Sequence, residues 1–214
     1  MSGLFEGVLR AFDERRRAEV VAAYMAVEHA AEPVAEVRFA ALREPALRRA
    51  VEEMLALNGR TLIRSEQTRW ISGYRDEVAK ALAEDPACVP GVRERAVLTL
   101  VLIHSVAIPR AAGLLADDSW LSPHPTPLDE LRRRTQLPVT ELEASLRRLR
   151  LAGLVAQVKA GPDDAGGFVP GAQFHRLTDA ARRRLQEELI LAAGPDSPLA
   201  AAIRARRRGR GEST

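Results

Sequence analysis

The stretch Thr126–Leu185 limits the possible folds more than any other part of this 214-residue chain. It reads TPLDELRRRTQLPVTELEASLRRLRLAGLVAQVKAGPDDAGGFVPGAQFHRLTDAARRRL, a sequence of helix, tight turn, helix, strand, loop, strand and helix. Thr126 is expected to cap the first helix, with Pro127 at its first position and Asp129 reaching back. Pro138 breaks the chain, and Thr140 with Glu143 three residues on has the form of a capping box. Leu142, Leu146 and Leu149 keep the spacing of one buried helical face. Gly153 suits a left-handed helix end. Leu154–Lys159 alternates apolar and polar residues as a half-buried strand does, and GPDDAGG is a loop by composition. Phe168–Leu177 has room for a return strand, delayed or bulged at Pro170 and Gly171. Thr178 and Asp179 open the last helix.

This order resembles the winged helix-turn-helix family. The resemblance rests on LRRLRLAGLV (Leu146–Val155) and FHRLTDAARRRL (Phe174–Leu185), which look like the recognition helix turning into the wing, and the outgoing wing strand with its following helix, of MarR-like and PadR-like regulators. It implies that the N-terminal half of the second helix enters the major groove of DNA. The candidate DNA contacts are then Thr140, Ser145, Arg147 and Arg148 on that helix. Arg132, Arg133 and Arg134 on the helix before it would meet the backbone, and Lys159 would sit on the wing. Ser145 and Arg148 share one face at i, i+3 and are expected to point outward. Several positions depart from the family pattern. The helix also carries Val139, Glu141, Glu143 and Ala144, and lacks the Arg, Asn or Gln that read guanine and adenine there. Asp163 and Asp164 lie at the wing tip, and Ala181 stands where glycine is common.

The remainder of the chain is read from composition and punctuation. Aromatic residues make up only 4% of a chain that is 46% hydrophobic, so the core must be built mainly from Ala, Leu and Val, which favours helices. An amphipathic helix is expected from Leu4 to about Ala31. Pro33 starts a short helix ending at Arg43, and Pro45 starts another through Leu57, where Asn58-Gly59 stops it. A third helix is expected from Arg60 to about Ala83. On it Trp70 and Tyr74, four apart, would line a ligand pocket or pack in the core. Ala83–Gly91 (AEDPACVPG) is the internal boundary. Val92–Leu115 follows as a long helix, apolar nearly all round, that Pro109 should kink or end. The expected fold class is mainly α: an N-terminal helical bundle plus a C-terminal winged-helix domain with a two- or three-stranded wing. The expected domains are 1–89 for dimerisation or partner or ligand binding, 90–193 for the winged helix, and 194–214 as a basic disordered tail. Arg206, Arg207 and Arg208 in that tail are further candidates for phosphate contact.

Lys and Arg number 32 against 29 Asp and Glu, a net charge of +3 that tolerates nucleic acid without demanding it. A single cysteine, Cys88, excludes an internal disulfide and fits a reducing compartment. The longest apolar run, Ala96–Ile108, is too short for a membrane span. The acidic Glu6 and the lack of a long apolar run near the start argue against a signal peptide. A cytoplasmic protein, nucleoid-associated in one variant of the reading and not membrane-bound, is expected. Phosphate-binding glycine loops, a G-x-S-x-G elbow and metal-ligand spacings are missing, and His29, His104, His124 and His175 are scattered. No catalytic residues, metal or cofactor are therefore expected. Two readings stay open. One is a DNA-binding transcriptional regulator, dimeric through its N-terminal helices. The other is a non-enzymatic architectural or adaptor protein that binds a protein partner through the winged unit, as subunits of chromosome-organising complexes do.

Overall fold

A computed structural model describes residues 3–65, 68–159 and 166–211. The chain is mainly helical and divides into two compact units. The first comprises residues 1–89 with 175–178, the second residues 90–174 with 179–214.

The first unit opens with α1 (Glu6–Leu9) and α2 (Glu14–His29). Between them the Asp13 carboxylate accepts from the Arg16 N–H at 2.9 Å, and the Arg17 guanidinium donates to the carbonyls of Leu9 and Phe12. These contacts satisfy the backbone groups that a helix break exposes, so the chain bends where a single helix is expected from the pattern. β1 (Val34–Ala35), a 3₁₀ turn (Glu36–Arg38), α3 (Ala40–Arg43) and α4 (Pro45–Leu57) follow. Pro45 fills the first turn of α4 without loss of a bonded N–H, and Gly59 takes φ +68° to end it.

The expected helix over Arg60–Ala83 is replaced by an antiparallel hairpin, β2 (Arg60–Ser65) and β3 (Arg69–Tyr74), and then α5 (Asp76–Glu84). The sheet order is β1-β3-β2, so the N-terminal unit is not a pure helical bundle. Its composition explains the difference. Thr61, Ile63 and Ile71 are β-branched, Trp70 and Tyr74 are aromatic, and Gly73 would weaken a helix interior. Leu42, Leu47, Val51, Met54, Leu55 and Trp70 form part of the core. Residues 175–178 close the unit: the Arg176 guanidinium donates to Ser72 O and Oγ, Glu28 O and Ala30 O.

The second unit begins with α6 (Val92–Leu102), a π-helical stretch (Ile103–Ala107) and α7 (Ile108–Ala111). Pro109 has no N–H to give to the preceding turn, and the helix widens just before it. It stops at Ala111, short of Leu115, with Gly113 at φ +72°. α8 (Leu128–Thr135) and α9 (Val139–Leu151) pack on α6 through Leu131, Leu142, Leu146 and Leu149 against Val97 and Val101. Neither has the side-chain cap expected for it. α8 starts behind Pro127, and Thr126 is buried, with its backbone paired to Phe168 and its Oγ1 2.9 Å from Ser105 Oγ. α9 starts behind Pro138, which leaves Thr140 inside its first turn and exposed. In both cases the proline sets the extended backbone from which the helix starts.

Gly153, at φ +68°, leads into β4 (Val155–Val158), which pairs with β5 (Gly167–Pro170). Thr126 lies on the other side of β5, so β5 is central. The ribbon is thus shorter than expected, because Gly171 N–H bonds Leu154 O and the chain turns into a 3₁₀ stretch over Ala172–Arg176. α10 (Asp179–Ala193) follows, and then α11 (Pro198–Gly211) where a disordered tail is expected. α11 buries Ala200 and Ile203 and pairs Arg206 and Arg207 with Glu187 and Glu188 of α10. The apolar face there is only two residues wide and is easily overlooked among arginines.

Candidate macromolecule-docking face

α9 shows how side chains of the second unit are shared between core and surface. Each helical residue turns the face by about 100°. Leu142, Ser145, Leu146 and Leu149 are buried, so Thr140, Glu143, Arg147 and Leu151 lie on the opposite side, with Ala144 half-buried among them. β4 continues this surface as an exposed edge: Ala156, Gln157, Val158 and Lys159 are all exposed.

The expected DNA contacts fall into three groups. Ser145 is 2% exposed and donates to Glu94 Oε1 at 3.4 Å, so the outward position expected for it is corrected. A serine at this point of the leucine face is short enough to be covered by α6. Arg148 is exposed along its stem, but its guanidinium is ion-paired with the same Glu94 carboxylate, itself only 7% exposed. Arg132, Arg133 and Arg134 also have internal partners. Arg132 reaches Asp129 at 3.5 Å, Arg133 pairs with Glu130, and Arg134 reaches Glu130 at 2.9 Å. Hydrogen bonds from Arg134 and Arg133 hold the Glu130 carboxyl below its ordinary value of 4.5. The third group, Thr140, Arg147 and Lys159, is exposed, as is Arg150. Glu141 is drawn aside to Arg93 at 3.2 Å. Asp163 and Asp164 lie outside the described residues.

On α11, Arg206 and Arg207 are tied to α10, and Arg208 is exposed. The Trp70 and Tyr74 side chains are on one face of β3, not on a helix. Trp70 is buried and gives its Nε1–H to Glu36 at 3.0 Å, while Arg60 stacks on the more exposed Tyr74 at 4.1 Å. Both rings are occupied by packing with neighbours. Among the described residues, no group of three His, Cys, Asp or Glu is placed to hold a metal ion. Among them, too, no helix is long and apolar enough to cross a membrane.

Sequence reasoning missed Glu94 and Leu151. Glu94 lies between Arg93 and Arg95 and reads as a solvated residue; only packing of α6 on α9 reveals its burial. Leu151 extends the leucine run and reads as core, yet it is 84% exposed because the helix has turned outward by then.

Residues 119–161 match the family model of the DprA winged helix domain. The match runs from the loop before Thr126 through α8, α9 and β4. It supports the winged-helix fold of this unit and does not extend to the MarR-like or PadR-like families. No curated protein matches the chain.

Proposed function

We propose that the chain is a non-enzymatic winged-helix adaptor that docks a protein partner on the outward face of α9 and the β4 edge. The observation that carries this is the engagement of Ser145 and Arg148 by buried Glu94. It leaves Thr140, Glu143, Ala144, Arg147 and Arg150 as the helix surface, with one acid against two arginines, ending on exposed Leu151. Exposed Leu151 and Val158 beside a helix of mixed charge fit a protein surface, whereas DNA interfaces are polar and strongly positive. The unpaired edge of β4 offers further backbone groups to a partner strand.

A DNA-binding regulator, dimeric on a palindrome, is the second reading. Exposed Arg147, Arg150 and Lys159 favour it, since surface ion pairs such as those of Arg132–Arg134 are weak in water and yield to phosphate. Titrating the protein with its own upstream duplex and a scrambled duplex at about 150 mM salt separates the two. The adaptor shows equal affinity for both, and a photo-crosslinker at position 151 gives one discrete protein adduct in cells that Ala144→Arg abolishes. Sequence preference at that salt, removed by Arg147→Ala, overturns the adaptor reading.

A further inference from the structure

Pro109 widens the turn before it into a π-helical stretch, and a widened turn of this kind often marks a functional site. Ala107, Arg110 and Ala111, spaced i, i+3 and i+4, share one face of the helix there. Facing them, α10 presents Gln186, Leu189, Ile190 and Ala193, again on one side, and α11 adds Leu199. Between these faces, within the second unit, lies a cavity of about 410 Å³, in the range of small-molecule sites. Its wall is mostly aliphatic, and two charged side chains line it, Arg110 and Asp117. We infer that this cavity binds an apolar α-amino acid, with its carboxylate on the Arg110 guanidinium and its ammonium on Asp117. None of these residues belongs to α9 or β4, so the site is additional to the docking face proposed above.

Arg110 is the reason for the carboxylate. Its guanidinium stacks on the Trp120 ring at 4.6 Å and donates to Gln186 Oε1 and Ser119 O, which fixes its position. Those bonds use one N–H on each terminal nitrogen, so a second N–H on each is left over. The buried Nε–H has no acceptor among the described residues. Asp117 and Asp118 act on the guanidinium through charge alone. Burial pushes the pKa of Arg110 below the ordinary arginine value, while the two acids hold it up. A partly buried cation with idle donors and no contacting carboxylate is completed by an anion that brings one. Guanidinium takes a carboxylate through two parallel N–H···O bonds. A simple carboxylate would meet Asp117 with like charge, whereas the ammonium of a zwitterion neutralises that acid. The aliphatic wall of Leu189, Ile190, Ala193 and Leu199 then takes an apolar side chain. Leu199 is 56% exposed, so a ligand that covers it adds apolar burial.

Isothermal titration of the full chain with leucine and with phenylalanine tests the site. At least one of the two binds saturably, with a Kd of about 1 mM or tighter. The analogue of the better ligand that lacks the ammonium (isocaproate or hydrocinnamate) binds about tenfold weaker or not at all, and so does the one that lacks the carboxylate (isoamylamine or phenethylamine). Arg110→Met keeps an apolar stem, removes the guanidinium and loses binding. Asp117→Asn weakens the amino acid about tenfold and leaves the ammonium-free analogue no weaker. Ala193→Phe, at an exposed position of the cavity wall, fills the space and blocks binding with the thermal midpoint unchanged, which separates loss of the site from loss of the fold. The inference is overturned if neither amino acid binds up to about 10 mM. It is equally overturned if either analogue binds as tightly as the amino acid, or if Arg110→Met or Ala193→Phe binds like wild type.

Discussion

Glu94 concentrates the residue-scale physics of the second unit. A carboxylate taken out of water requires a charged partner and hydrogen bonds, and Arg148 and Ser145 supply them. Removing the partner strands the charge. Arg148→Ala is expected to cost about 1–3 kcal/mol in urea unfolding, with Glu94→Gln/Arg148→Ala recovering part of the loss. A loss confined to nucleic-acid binding, with stability unchanged, would contradict this structural role. Gly73 is a second constrained residue: a Cβ there would collide with the Arg176 carbonyl and Ile63 Cδ1. Gly73→Ala should lower the thermal midpoint through strain of about 1–3 kcal/mol. Glu130 carries a pH dependence. Its folded-state pKa is depressed, so its stabilising contribution is present above 4.5 and is lost as pH falls through the lower folded value. The gap in thermal midpoint between wild type and Glu130→Gln should therefore be widest near neutral pH and close in acid.

Among elements, α9 and α11 stand at opposite extremes. α9 is held by a leucine face with Leu142 and Leu149 almost fully buried, so Leu149→Ala should cost about 2–5 kcal/mol by denaturant melt. α11 is held by Ala200 and Ile203 and a few ion pairs with α10. Placing a carboxylate in that contact should release it: Ile203→Asp is expected to lose amide protection over Pro198–Gly211 while leaving protection in α9 intact. Slow exchange in α11 of that variant would mean that something other than Ile203 anchors the helix.

At the scale of the molecule, Arg176 is remote in sequence from the residues it joins. It donates four hydrogen bonds into the first unit, to backbone oxygens of residues 28, 30 and 72 and to the Ser72 hydroxyl. Thr178 adds a bond to Asp76 at 2.8 Å. The chain contains two tryptophans, Trp70 in the first unit and Trp120 in the second, which makes the units separately visible. Arg176→Ala should lower the unfolding midpoint reported by Trp70 in a Trp120→Phe background, by about 2–4 kcal/mol of stability. An equal shift at Trp120, read in a Trp70→Phe background, would show that the segment does not belong to the first unit alone.

Local chemistry was enough to determine the helix–helix–ribbon order of the C-terminal half, since leucine spacing, Pro138 and Gly153 act within a few residues of themselves. The prolines that replace periodicity near Val89 are the local signal from which a boundary is expected there. Local chemistry did not reveal the hairpin over Arg60–Tyr74, because arginines spaced along a short apolar run suit helix and strand alike until β1 and the core select one. Tertiary packing alone decided which polar side chains remain on the surface. Ser145 disappears under α6, Arg148 is drawn to Glu94, and Leu151 is left in water, because burial depends on which elements meet across the fold and not on a residue's own polarity.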